Sequence, residues 1–141
     1  MKRYILNTIF ILLVTGCKVS TENSIDLQFL SGYWEIDSVI TANGDEKKYN
    51  FNAFIDYFET KDSIGFRYKV EPKFNGNYKS NFQKIKYKLV TKKDTIDIQY
   101  KTSSKTITDK LFLATDQKLG IKTDNGSLYY YRKYSPIIID K

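Results

Sequence analysis

Residues 64–70 read Ile-Gly-Phe-Arg-Tyr-Lys-Val, an alternation of apolar side chains with polar or small ones. A period of two residues is that of a β-strand, in which successive side chains point to opposite faces. The alternation predicts that Phe66 and Tyr68 point to the inside of the fold. Pro72 ends this predicted strand, because proline cannot donate a hydrogen bond to a β-ladder.

The same period recurs from Phe29 onward, and turn sequences separate the runs. Asn75-Gly76 and Thr123-Asp124-Asn125-Gly126 are typical of hairpin turns, since Asn and Gly tolerate positive φ. The predicted strands are residues 33–40, 49–58, 64–71, 85–89, 96–100, 106–114, 118–122 and 128–134. Many short strands joined in sequence by short turns predict an all-β fold, a single up-and-down antiparallel β-barrel of eight or nine strands.

Composition supports one β domain and excludes several classes of site. The chain has 141 residues, with 12 Tyr and 9 Phe but only 3 Ala, a balance that favours strands over helices. The absence of His removes the commonest general base and metal ligand, and a single Cys excludes an internal disulfide or a zinc-cysteine cluster. The carboxylates cluster at turns and on polar strand faces. We therefore expect no enzyme activity, no metal and no cofactor.

The net charge of +7 raises the question of nucleic-acid binding. Only 3 of the basic residues are Arg, the side chain that reads bases and phosphates in a bidentate manner. Lysines 84, 86 and 88 alternate with Ile85, Tyr87 and Leu89, as on the solvated face of a strand. We expect no nucleic-acid partner.

The N-terminus has the pattern of an export signal. Lys2 and Arg3 precede an apolar run from Tyr4 to Val14, which is too short to span a bilayer that needs about 20 residues. Val14-Thr15-Gly16-Cys17 resembles the bacterial lipobox. That resemblance implies cleavage after Gly16, diacylglycerol on the Cys17 sulfur and acylation of the new amino terminus by a fatty acid such as palmitate.

The lipobox predicts where in the cell the protein is located and where its N-terminal segments begin and end. Residues 1–16 would be a lipoprotein signal peptide, and the polar residues 17–28 a lipid-anchored tether. The membrane partner would then be reached through the lipid on Cys17. We expect a protein of the cell envelope, anchored in the outer membrane, with the periplasmic face and the cell surface both open.

Gly32-Tyr33-Trp34, at the start of the first strand, resembles the Gly-x-Trp signature of lipocalins, and the whole domain is similar to small lipocalin-like lipoproteins of Bacteroidetes. Arg132 resembles the arginine that, in that family, crosses the closed end of the barrel to pack on the tryptophan. The resemblance implies a lipocalin-like barrel over residues 29–135, followed by a tail at 136–141. The alternative for Trp34 is a buried strand aromatic with no special partner.

Two functions remain open at this stage. In the first, the barrel binds a small hydrophobic or amphipathic ligand against inward rings, with the mouth at the Ile40 end of the first strand. The candidate ligand-lining residues are Phe66, Tyr68, Tyr87 and Tyr100. In the second, the barrel is filled and the protein is an interaction module, such as an immunity protein or an accessory subunit of an envelope complex. Tyr129 and Tyr131, if exposed, would then offer a docking surface for a protein partner.

Overall fold

We describe residues 24–80 and 82–136 in a computed structural model. A short 3-10 helix, Leu27–Phe29, precedes ten strands. The strands are β1 Gly32–Ile40, β2 Glu46–Lys48, β3 Ile55–Lys61, β4 Ile64–Pro72, β5 Tyr78–Lys79, β6 Ile85–Thr91, β7 Ile96–Lys101, β8 Thr106–Ala114, β9 Lys118–Lys122 and β10 Leu128–Lys133. In this part of the chain no helix is long and apolar enough to cross a bilayer.

Eight of the strands form a closed antiparallel wall in the order β1-β3-β4-β6-β7-β8-β9-β10, and β10 pairs with β1 to close it. The closing register runs from Trp34 opposite Lys133 to Ile40 opposite Leu128. The two short strands β2 and β5 lie outside this wall, paired with β1 and β4. The predicted up-and-down lipocalin-like barrel is therefore confirmed, including the eight strands of its wall.

The hairpins form where the sequence supplies residues that accept positive φ. Gly76 has φ +79° in the β4–β5 turn, and Gly126 has φ +89° in the β9–β10 turn. Both turns were predicted from their Asn-Gly pairs. Because each connection is short, consecutive strands of the wall become neighbours and the barrel needs no crossover.

One end of the barrel is closed by the chain that enters it. Trp34 and Leu30 are fully buried there, and the Trp34 indole N–H donates a hydrogen bond of 2.9 Å to the Leu30 carbonyl oxygen. Upstream, Ile25 forms a parallel bridge to Ala114, and the Ser24 carbonyl accepts from the Ala114 N–H. Contacts with the barrel thus begin before residue 29, so the predicted tether boundary is too late.

The orientation predicted for β4 is wrong. Gly65 and Arg67 face the interior, whereas Phe66 is exposed and the Tyr68 ring packs outside against Tyr57 at 5.2 Å between ring centroids. Alternation defines two faces of a strand but does not say which one is inside. On this outer wall the Tyr68 ring is covered in part by Tyr57 and by Lys84, whose ammonium lies 4.6 Å from the Tyr68 ring centroid. The interior instead takes a glycine and an arginine.

A similar inversion occurs in β10. Tyr131 is buried inside the barrel and does not form an exposed docking surface with Tyr129. On β6 and β7 the predicted orientation holds, since Tyr87 and Tyr100 are both buried in the core. The lysines that flank Tyr87, at positions 86 and 88, are exposed. The lower part of the barrel, toward Trp34, is packed with aromatic and aliphatic side chains.

Candidate ligand-binding cavity at the open end

A cavity of about 580 Å³ opens at the end of the barrel opposite Trp34. Its wall comes from the upper halves of β3, β4, β6, β7 and β8 and from the β9–β10 turn. The side chains that line it include Asp56, Arg67, Lys69, Phe82, Ile85, Tyr100, Ile107 and Asp109. The predicted position of the mouth, at the Ile40 end of β1, is the end at which the cavity lies.

The floor of the cavity is built around the Arg67 guanidinium. Its Nε donates to Asp56 Oδ1 at 3.2 Å, and its two terminal nitrogens donate to the hydroxyls of Tyr100 at 3.2 Å and Tyr131 at 2.9 Å. The guanidinium also lies 5.0 Å from the centroid of the Phe58 ring, within cation–π range. Three of its five N–H groups are thus engaged, and the side chain keeps 20% exposure toward the cavity.

Asp56 balances the positive charges of this floor. Its second carboxylate oxygen accepts from Lys69 Nζ at 2.9 Å, and the residue is only 2% exposed. Burial alone would raise the pKa of Asp56, but the charges of Arg67 and Lys69 outweigh it and hold the pKa below the ordinary value. Asp56 is therefore an ionised carboxylate with both oxygens in use.

Asp109 is the second carboxylate of the floor, and one of its oxygens is unused. Oδ1 accepts from the Asp124 backbone N–H at 3.2 Å. Oδ2 lies 3.9 Å from the nearer Arg67 nitrogen, which is beyond hydrogen-bond distance. Burial raises the pKa of Asp109, and the Arg67 charge opposes that effect only in part. A hydrogen-bond donor in the cavity would find its acceptor here.

Below Arg67 the barrel is filled. The Tyr87 hydroxyl forms a 2.6 Å hydrogen bond with Thr60 Oγ1, and burial raises the pKa of Tyr87 to about 12 despite that bond. A side chain at Gly65 would collide with the Tyr87 ring, so the ring occupies the space that the glycine leaves. The cavity is consequently a cup in the upper half of the barrel.

Of the four residues predicted to line a ligand site, only some lie at the cup. Tyr100 lines the cup and bonds Arg67, while Tyr87 lies beneath the floor. Tyr68 borders the cup but turns its ring to the outer wall, and Phe66 is exposed on that wall. Cys17, the predicted lipid-attachment site, lies outside the described residues.

Sequence reasoning missed the charged floor. Asp56 falls in the predicted strand 49–58 without a predicted role, and Arg67 falls on the face of the predicted strand 64–71 opposite Phe66 and Tyr68, because nothing local shows that residues 11 positions apart will pair inside a barrel. The available signal was the rarity of arginine. In a chain that uses lysine for its surface, an arginine in mid-strand is a candidate for a buried, hydrogen-bonded role.

The predicted contact between Arg132 and Trp34 is wrong as well. Arg132 faces outward and binds Glu35 at 2.9 Å and Asp37 at 2.6 Å. The next residue, Lys133, faces inward, and its ammonium lies 4.3 Å from the Trp34 ring centroid. Gly32, with φ +128°, leaves room for this ammonium, since a Cβ there would stand 2.6 Å from Lys133 Nζ.

Comparison with solved structures finds two proteins with a similar fold. The first is to a lipocalin-like protein from Bacteroides uniformis ATCC 8492, with 14% identity, a TM-score of 0.48, and coverage of 74% of this chain and 98% of that one. The second is to an uncharacterized protein from Bacteroides eggerthii DSM 20697, with 16% identity, a TM-score of 0.45, and coverage of 74% and 99%. No protein-family model matches the sequence, and no curated protein matches it.

Proposed function

We propose that the protein is an envelope-anchored lipoprotein whose barrel binds a small amphipathic molecule, with the polar head group of the ligand directed into the cup. The observation that carries the proposal is the cup itself, a space of about 580 Å³ above a charged, hydrogen-bonded floor. Ligand pockets in proteins fall in the range of about 300–1,000 Å³.

The balance of charge on the floor favours a neutral head group. Arg67 and Lys69 stand against Asp56 and Asp109, so the four side chains nearly cancel. The floor offers an acceptor at Asp109 Oδ2 and donors on the two Arg67 terminal nitrogens. Hydroxyl groups both donate and accept, so a polyol or sugar head group matches the floor. A ligand carboxylate would face two aspartates that already neutralise the cations.

The upper wall of the cup suits an apolar body. Ile107 lines it from β8, and Ile85 and Phe82 line it near the mouth, where both are nearly half exposed. Covering such side chains with a hydrocarbon chain is favourable by about 25 cal/mol per Å² of apolar surface. A ligand of the proposed class therefore places its head group at Arg67 and its chain toward the opening.

The alternative, an interaction module with a filled barrel, requires an interior without space for a guest. The lower half of the barrel fits that description, but the cup above Arg67 does not. The cup therefore supports ligand binding over the filled-barrel alternative.

Anchoring through Cys17 is the part of the proposal that the sequence alone supports. Ile25 joins the barrel beside Ala114, at the closed end. A tether from Cys17 would reach the barrel there, which would leave the mouth of the cup unobstructed. The lipid would hold the protein to the envelope while the cup remains open to its ligand.

The test of ligand binding uses the chain from residue 18 to 141, which keeps every strand of the closed barrel. Monooctanoylglycerol is titrated into the protein by calorimetry, with an expected dissociation constant of roughly 10 µM to 1 mM for a ligand of this size. Ile107→Trp should abolish the binding by filling the cup. The matched control is Ile64→Trp, which makes the same change on the outer wall at the closed end and should bind as wild type. Absence of saturable binding to the wild type would refute the proposal.

A further inference from the structure

We propose that the cup continues into a groove on the outside of the barrel, and that this groove receives the hydrocarbon tail of a long-chain amphiphile whose head group lies in the cup. The inference rests on the proposed function and adds to it the class of the ligand, a neutral molecule with one long acyl chain. The groove has a volume of about 470 Å³ and lies between the β2–β3 connection, residues 49–54, and Phe82.

The groove and the cup share two side chains. Phe82 and Lys69 line both spaces, so a chain that leaves the cup at this side enters the groove. The Lys69 ammonium is held by Asp56 at 2.9 Å. The aliphatic stem of Lys69 therefore borders the passage while its charge is paired, as lysine stems commonly do along apolar surface. The two spaces form one continuous path from Arg67 to the outer wall.

The groove offers apolar surface to a tail. The apolar side chains that line it are Phe51, Ala53, Phe54 and Phe82. The rings of Phe54 and Phe82 meet edge to face with 5.2 Å between their centroids. Phe51 is 80% exposed, which is unusual for phenylalanine in water. A hydrocarbon tail that covers these rings removes apolar surface from water, which is favourable.

The charge and the extent of the groove favour a hydrocarbon tail over an anionic group or a protein. Lys69 is the one charged residue among the described residues that line the groove, and Asp56 already pairs with it. The volume lies in the range of small-molecule pockets. A stable protein interface buries about 800 Å² on each partner, and four apolar side chains on two connections fall short of that area.

The test compares monooctanoylglycerol with monododecanoylglycerol, which has the same head group and four more methylene groups. Both esters are titrated into the 18–141 chain by calorimetry, below the concentrations at which they form micelles. A fully buried methylene improves affinity by about fourfold, and in an open groove we expect about half of that free energy, or about twofold for each methylene. The longer ester should therefore bind about 15-fold more tightly.

Two substitutions in the groove should reduce this gain and leave monooctanoylglycerol unchanged, because neither residue lines the cup. Phe51→Ser removes an exposed ring and should cost the longer ester about fivefold in affinity. Ala53→Asp places a charge in the path of the tail and should abolish the gain. The matched controls are Phe74→Ser and Ala42→Asp, which make the same changes at exposed positions that line neither space.

The outcomes separate the groove from the cup. If monooctanoylglycerol binds and the longer ester binds no more tightly, the inference is overturned and the proposed function stands. If neither ester binds, the proposed function fails and the inference fails with it. Losses in the two control variants as large as those in the groove variants would also overturn the inference, because the tail would then lie elsewhere.

Two further results would assign the groove differently and overturn the inference. Ile107→Trp fills the cup and should prevent binding of both esters, so binding of the longer ester to this variant would make the groove an independent site. Self-association of the wild type that Phe51→Ser abolishes, without a gain from the longer chain, would assign the groove to a second copy of the protein.

Discussion

The ammonium nitrogen of Lys133 lies 4.3 Å from the centroid of the Trp34 ring, at the closed end of the barrel. The same nitrogen donates to the Ser31 carbonyl oxygen at 3.3 Å. These two contacts join the last strand to the chain that enters the first one, and they lie over a fully buried indole. Lys133 therefore completes the closed end by covering the apolar face beneath it.

We predict that Lys133→Met lowers the free energy of unfolding by about 1–2 kcal/mol, because it removes a partly shielded cation–π contact and a hydrogen bond while keeping the aliphatic stem. Lys118→Met makes the same change at an exposed position of the same end and should stay within about 0.5 kcal/mol of wild type. Urea denaturation measures both. A Lys133→Met protein as stable as the Lys118→Met protein would show that the contact contributes nothing.

The Asp56 carboxylate should make the stability depend on acid pH. Its pKa in the folded protein lies below the ordinary value of 3.8, so the stabilisation is present above pH 3.8 and is lost as pH falls through the folded-state pKa. Asp56→Asn leaves Arg67 without its counter-charge and should cost about 3–5 kcal/mol at pH 7. The difference from wild type should shrink below pH 3.8.

Two comparisons isolate this effect. Burial raises the pKa of Asp109, so its titration changes stability in the opposite direction, and Lys73 lowers the pKa of the exposed Glu71. Both carboxylates are present in the wild type and in Asp56→Asn, so the difference between the two proteins reports Asp56. Asp45→Asn replaces an exposed carboxylate in the β1–β2 turn and should show no cost at pH 7. Denaturation curves at pH 7, 5, 3.5 and 2.5 give the profile. An Asp56→Asn deficit that is constant across these values would contradict the prediction.

Gly65→Ala should destabilise the protein although the backbone there is ordinary. Its methyl group would overlap the Tyr87 ring and the Glu59 carbonyl oxygen, and the ring is held by Thr60. We expect a loss of about 2–3 kcal/mol, as for overpacking of a core. Gly120→Ala meets mainly the end of the half-buried Phe112 ring, which can turn aside, so its loss should be smaller. Thermal unfolding of the two variants checks the order, and the reverse order would contradict it.

Gly65 also illustrates which features of the fold can be predicted from the sequence and which cannot. Strands 106–114 and 118–122 were predicted with their observed bounds, because their turns carry local signals. The face that β4 turns inward depends on residues far along the chain: Tyr87 needs the space at Gly65, and Asp56 neutralises Arg67. Such pairings are set by the closed barrel and leave no trace in the alternation of one strand.

Lipidation at Cys17 remains a prediction from the lipobox. Cys17→Ser should abolish acylation and release the protein from the membrane fraction of the expressing bacterium. Intact-mass spectrometry of the membrane-bound wild type should show the added diacylglycerol and acyl chains, and the serine variant should lack them. A serine variant with the wild-type mass and membrane fractionation would mean that Cys17 carries no lipid.

The charge of Asp109 should determine which head group the cup accepts. In the wild type, monooctanoylglycerol should bind more tightly than octanoate, because the octanoate carboxylate meets the Asp109 carboxylate while the glycerol hydroxyls can donate to its Oδ2. Asp109→Asn removes the negative charge and keeps the shape of the side chain. Octanoate should then gain about tenfold in affinity, which corresponds to about 1.4 kcal/mol, while monooctanoylglycerol changes less. Calorimetric titration at pH 7.5 measures the affinity of each ligand for the wild type and for Asp109→Asn. Asp124→Asn removes a negative charge at the exposed rim of the cup and serves as the control for a general charge effect. If octanoate gains equally from either substitution, the head group does not sit at Asp109.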